Sequence, residues 1–164
     1  MATRARLGYV LSDDSIVSVY HHWDGYPEWL GVTLNEQYNT DEKVRELIDG
    51  GNMSSCWSDS DFDYEKQEFI KKDPEPNYYG GDDEAPKHFQ TLTALTDYDA
   101  GEEFLYLWFM NTWNCYAYKR PMMTIITVHQ QPFHLASFQL ARMKHLWQYN
   151  FCHTQSTMSP RGRL

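Results

Sequence analysis

The run that most narrows what this chain can fold into is "EEFLYLWF", Glu102 to Phe109, followed by "MNT" and "WNCYAYKR". Phe104 to Met110 is the longest uninterrupted apolar stretch of the sequence. Successive side chains of a β-strand point to opposite faces, so a strand that is apolar throughout has to be covered on both. It belongs inside a sheet with structure packed above and below. "MNT", Met110 to Thr112, has the length of a hairpin connection, and "WNCYAYKR" is the returning arm. With 164 residues the chain can build one domain around such a core and not two. The core material is aromatic: 6 Trp, 12 Tyr and 8 Phe are more than a domain this small can hide, so some Tyr and Trp must reach the surface.

"ARLGYVL", Ala5 to Leu11, and "SIVSVYHH", Ser15 to His22, read as a second hairpin around the turn formers Asp13 and Asp14. In its second arm Ile16, Ser18 and Tyr20 face one way, and Val17, Val19 and His21 the other. Asp24 and Gly25 break the strand. Pro27 suits the first turn of a helix, and Leu30, Leu34 and Tyr38 recur on one helical face. Thr40 is placed to cap a second helix, Asp41 to Asp49, with Val44, Leu47 and Ile48 on its apolar stripe and Gly50-Gly51 at its end. "MMTIITV", Met122 to Val128, reads as a further strand. Pro132 opens a third helix in which Phe133, Ala136, Leu140, Met143 and Trp147 repeat at three and four residues. The expected architecture is α+β: a largely antiparallel sheet of about five strands with about three helices packed on it. Residues 1–153 form the single domain, and the polar residues 154–164 form a flexible tail.

Charge is unevenly spread. Residues 58–86 carry ten acidic side chains and three lysines, so most of the net charge of −9 sits there. Pro74, Pro76, Gly80, Gly81 and Pro86 mark this stretch as a long exposed insertion, which Phe62, Tyr64, Phe69, Ile70, Tyr78 and Tyr79 could pin to the body. An acidic balance argues against direct nucleic-acid binding and favours basic partners. The insertion reads either as a solvated loop or as a surface that docks on a basic protein. Tyrosines among carboxylates suit the second use, and the candidate binding residues are Asp59, Asp61, Asp63, Tyr78, Tyr79, Asp82, Asp83 and Glu84.

The chemistry-bearing motifs are few. There is no glycine-rich phosphate loop, no nucleophile elbow and no zinc-protease signature. Cys56, Cys115 and Cys152 have no zinc or C-x-x-C spacing and read as reduced thiols. The nearest metal-like grouping, His145 with Cys152 and His153, matches no standard site, so no metal and no cofactor is expected. "MATRARLGYVL" lacks the apolar region of a signal peptide, and no run is long enough to span a bilayer, so a cytoplasmic protein away from membranes is expected.

"HHWDGYP" is the one local candidate for a site. In the catalytic reading Asp24 orients His21 or His22, and the helix start near Pro27 supplies hydrogen-bond donors. In the structural reading Trp23, Asp24, Gly25, Tyr26 and Pro27 form a corner that Trp23, Tyr26 and Trp29 clamp into the core. No catalytic residue is assigned on the second reading, which is the preferred one.

"SVYHHWDGYPEWLG" followed by "VRELIDGGNMSSC" resembles a group of small uncharacterised proteins of bacteriophages and some bacteria, in which a strand runs into an H-W-D-G-Y-P corner and a helix. "EEFLYLWF" and "WNCYAY" resemble their aromatic hairpin. The resemblance covers residues 4–57 well, 100–119 loosely and the last third hardly at all. It implies a viral accessory protein in a bacterial cytoplasm and carries over no catalytic residues. The expected function is non-enzymatic binding of a host protein or nucleoprotein. A small-molecule or nucleotide-acting protein built on His21, His22 and Asp24, and a virion component, are the alternatives.

Overall fold

In the computed structural model, which describes residues 2–98, 101–119 and 122–124, the first hairpin forms where the turn chemistry asks for it. β1 (Ala5–Val10) pairs antiparallel with β2 (Ile16–His21). The Asp13 carboxylate accepts from the Ser15 N–H and hydroxyl at 3.1 and 2.6 Å. Asp14 takes a positive φ of 67°, which Asp tolerates. After the corner, Pro27 opens one wide turn of π-helix, Pro27–Gly31, that runs into α1 (Val32–Gln37). Thr40 caps α2 (Asp41–Asp49), its Oγ1 accepting from the Lys43 N–H at 3.3 Å.

Short elements follow: β3 (Met53–Ser55), β4 (Phe62–Asp63), β5 (Glu68–Phe69), β6 (Asn77–Tyr78), a 3-10 turn at Asp82–Glu84, β7 (Lys87–Phe89) and α3 (Leu92–Asp97). The aromatic hairpin is β8 (Phe104–Trp108) and β9 (Trp113–Lys119), with β10 (Met122–Thr124) beside it. Met110 and Asn111 both have positive φ, 54° and 58°, the twist that a tight hairpin needs.

One sheet of eight strands collects most of these, in the order β10-β9-β8-β1-β2-β3-β6, with β7 also on β2. β2 is wide enough for both outer neighbours. β7 pairs with Ile16 to Ser18, and β3 joins at His21. β4 and β5 form a separate hairpin. The described residues form one compact unit.

Two expectations need correcting. Among the described residues the sheet has eight strands rather than about five; it is largely antiparallel, as expected, but not wholly so: β1 and β8 run parallel, as do β2 and β3. For β2 and β3 the reason is the connection. α1 and α2 lie between β2 and β3, and a helical crossover returns the chain in the same direction, as parallel pairing requires. The stretch 58–86 is also no bare loop, since it supplies β4, β5 and β6. α3 was not expected. The anticipated third helix from Pro132, the strand beyond Thr124, the tail 154–164 and the grouping of His145, Cys152 and His153 lie outside the described residues.

β8 sits between β1 and β9, and Leu105, Tyr106, Leu107 and Trp108 are all buried, as its sequence demands. On one face Ala5, Leu7, Tyr9, Val19, Tyr106, Trp108 and Cys115 share a core with Leu30, Leu34, Val44, Leu47 and Ile48 of the helical layer. The indole of Trp113 donates to the Tyr38 carbonyl at 2.8 Å, and that of Trp108 to the Asp41 carboxylate, which ties the hairpin to the helices. On the other face the buried guanidinium of Arg6 donates to Glu102 at 2.6 and 2.9 Å and to the Ser18 hydroxyl at 3.3 Å. The Tyr98 ring lies 4.8 Å from that guanidinium.

Candidate functional site

β2 decides the fate of the two histidines. Adjacent strand residues point to opposite faces. His21 enters the helical side and is completely buried. Its Nε2 accepts from the Cys56 N–H at 3.2 Å, while Nδ1 has no hydrogen-bond partner among the described residues. Burial, with a smaller contribution from His22, pulls its pKa down to about 3, so it stays neutral. His22 turns to the other side, half-buried, with Nδ1 2.8 Å from the Tyr20 hydroxyl. Asp24 is exposed with φ at 53°, and no hydrogen bond joins it to either histidine. The catalytic arrangement of His21, His22 and Asp24 therefore does not assemble.

The corner itself is held by backbone. His22 and Trp23 donate to the carbonyls of Met53 and Ser54 at 3.2 and 3.0 Å. Gly25 is buried: its N–H donates to Thr3 at 2.8 Å, and its carbonyl accepts from the Tyr106 hydroxyl at 2.9 Å. A Cβ there would stand 2.9 Å from the Ala5 Cβ and from the Thr3 carbonyl oxygen, so only glycine fits. Tyr26 is half-buried, and Pro27 starts the π-turn. Trp29 packs edge-on against Trp57 and Phe62 at 5.7 and 4.8 Å. Trp23 departs from expectation. It clamps nothing into the core, being 48% exposed, with its ring edge-on to His22 at 4.6 Å. Its place just past the end of β2, where the corner turns away from the sheet, leaves one side to solvent.

The acidic segment divides. Asp61 is an internal knot, not surface. Its carboxylate accepts from the Ser58 N–H and hydroxyl at 3.0 and 2.8 Å and from the Glu75 N–H at 2.7 Å, and it pairs with Lys71 at 3.2 Å. Burial alone would raise its pKa, but these hydrogen bonds prevail and hold it at about 2. Asp63 caps the β4–β5 turn by accepting from Glu65 and Lys66 N–H. Asp59, though exposed, accepts from the Tyr64 hydroxyl. Tyr78 points to the helical side and donates to the Leu47 carbonyl at 2.9 Å, finishing α2. These four therefore do local structural work.

The rest comes together with the corner. Tyr79 donates its N–H to the Asn52 carbonyl at 3.1 Å, and burial pushes its hydroxyl pKa up against a hydrogen bond with Ser54. Ser54 also receives the Trp23 N–H, so Trp23 and Tyr79, each 48% exposed, flank one residue. Asn52 is the other link: its Oδ1 accepts from the Tyr20 N–H at 2.7 Å and its Nδ2 donates to Glu84 at 2.8 Å. Asp82 and Asp83 stand exposed on the same 3-10 turn as Glu84. Tyr20, His22, Trp23 and Tyr79 thus form an aromatic ledge edged by an acidic turn. Sequence reasoning missed Tyr20, Asn52 and Ser54. Tyr20 and His22 two apart on one face was the available signal; Asn52 precedes, and Ser54 lies within, a strand too short to show any period.

Among the described residues no three His, Cys, Asp or Glu side chains stand close enough to hold a metal, and no helix is long and apolar enough to cross a membrane. Burial raises the thiol pKa of Cys56, and that of Cys115 to about 11, so neither is an activated nucleophile. No family model, no curated protein and no solved structure matches the chain.

Proposed function

We propose that this protein is a binding module without enzymatic activity, which docks on a basic protein or nucleoprotein through the ledge of Tyr20, His22, Trp23 and Tyr79 and the acidic turn Asp82–Glu84. One observation carries the reading: two large aromatic side chains, Trp23 and Tyr79, stand half-exposed on backbone hydrogen-bonded to Ser54 and Asn52, and the Glu84 carboxylate is hydrogen-bonded to Asn52. Solvent-facing Trp and Tyr on a rigid support are the side chains that dominate interface energies, and they lose little conformational freedom on binding. The carboxylates add steering toward a positive surface. The resemblance of residues 4–57 to small phage and bacterial proteins supports a host protein as the partner and modulation of that protein as the outcome.

The test is capture of partners from a bacterial host lysate by tagged protein, beside the Trp23→Ala/Tyr79→Ala double variant. A specific host protein retained by the parent and bound at least about tenfold more weakly by the variant supports the ledge. Equal capture by both, or none by either, overturns it. Unchanged melting of the variant keeps the comparison free of a folding defect.

A further inference from the structure

A cleft shares no lining residue with the ledge. The π-turn and α1 on one side and the β4–β5 hairpin on the other enclose this open cleft of about 610 Å³, within the range of ligand sites. The helical wall presents Glu28, Val32 and Glu36, spaced one turn apart, with Trp29 beside them. The opposite wall presents Phe62, Phe69, Glu68, Lys71 and Lys72. Trp29, Phe62 and Phe69 form an edge-to-face chain of rings in the lining, with centroids 4.8 and 5.0 Å apart; Phe62 is buried between the half-buried Trp29 and Phe69.

The charges in the cleft do not balance. Lys71 is already committed to Asp61 and Glu75, each at 3.2 Å. Glu28, Glu36 and Glu68 make no side-chain hydrogen bond or ion pair among the described residues, and Lys72 is the one lysine of the lining equally unengaged there. The lining thus holds three uncommitted carboxylates and one available cation beside partly exposed aromatic rings. A flat cation that can lie on a ring and meet a carboxylate with paired N–H groups is a guanidinium.

We propose that this cleft is a binding site for an arginine side chain presented by a peptide, its guanidinium against the half-buried rings of Trp29 and Phe69 and its charge met by Glu28 and Glu36. The site does not depend on the ledge, and its test needs no partner protein. The full chain is titrated with Nα-acetyl-arginine amide into the millimolar range while the Trp29 indole N–H and backbone amides are followed by NMR. Nα-acetyl-citrulline amide, the neutral isostere, and Nα-acetyl-aspartate amide run alongside. Saturable shifts at the Trp29 indole and at the two cleft walls are expected with the arginine compound. Binding about fivefold weaker is expected for citrulline and for the Glu28→Gln/Glu36→Gln variant, whose exposed positions leave the fold intact. No saturable shift, equal binding of citrulline, an unaffected double variant, or preference for the aspartate compound would each overturn the assignment.

Discussion

At the scale of single residues, burial separates side chains that the sequence sets next to each other. His21 is neutral because it is enclosed. An unfolded chain takes up its proton near pH 6.5, the folded chain only near 3. Between those values the unfolded state binds more protons, so the stability tied to His21 is full above about 6.5 and falls on acidification, by up to about 1.4 kcal/mol per pH unit. His21→Gln, which can still accept from the Cys56 N–H, should lose less stability than the parent between pH 7 and 5; equal losses in thermal denaturation would contradict this. Gly25→Ala should cost about 1–3 kcal/mol, because the added methyl meets β1 and the Thr3 carbonyl. Trp23→Ala should cost under about 1.5 kcal/mol, well below the ~3–5 kcal/mol of a buried large aromatic, since half of its ring already faces water. Denaturant melts of both variants check the contrast.

At the scale of elements, what the sequence disclosed depended on length and period. β1, β2, α1, α2 and the β8–β9 hairpin run five residues or more with a clear repeat and caps, and Thr40, Pro27 and "MNT" marked their ends. β3 through β7 run two or three residues, too few for any alternation to show, so the width of the sheet and its parallel pairs were not legible. The site was half legible for the same reason. "HHWDGYP" drew attention to the right corner, but the strand that joins it to Tyr79 and Glu84 is three residues long, and Asp61 looked like surface because its partners, Ser58, Lys71 and Glu75, are brought to it by folding. Asp61→Ala should release this segment, with the Ser58 and Glu75 amides losing protection from hydrogen exchange and about 1–3 kcal/mol of stability lost from donors left unpaired. The parent's contribution from Asp61 is present above about pH 4 and is lost as pH falls toward 2, because the folded pKa is the lower one. Unchanged exchange at both amides would show that the knot does not hold the segment.

At the scale of the whole molecule, the helical layer and the sheet fix a backbone on which a few aromatics and carboxylates are left to solvent. The net charge of −9 gives a long-range field, and the turn at Asp82–Glu84 concentrates part of it beside Trp23 and Tyr79. Contact energy and steering are then separable: the rings set how long a complex lasts, and the carboxylates set how fast it forms. The most direct measurement is the association and dissociation rate of the captured host protein, taken at low and high salt, with the parent and with Asp82→Asn/Asp83→Asn/Glu84→Gln. Association should slow several-fold as salt shortens the screening length below ~10 Å, and again in the triple variant at low salt, with dissociation and melting little changed. Association rates indifferent to both salt and neutralisation would contradict the acidic, aromatic ledge as the working surface.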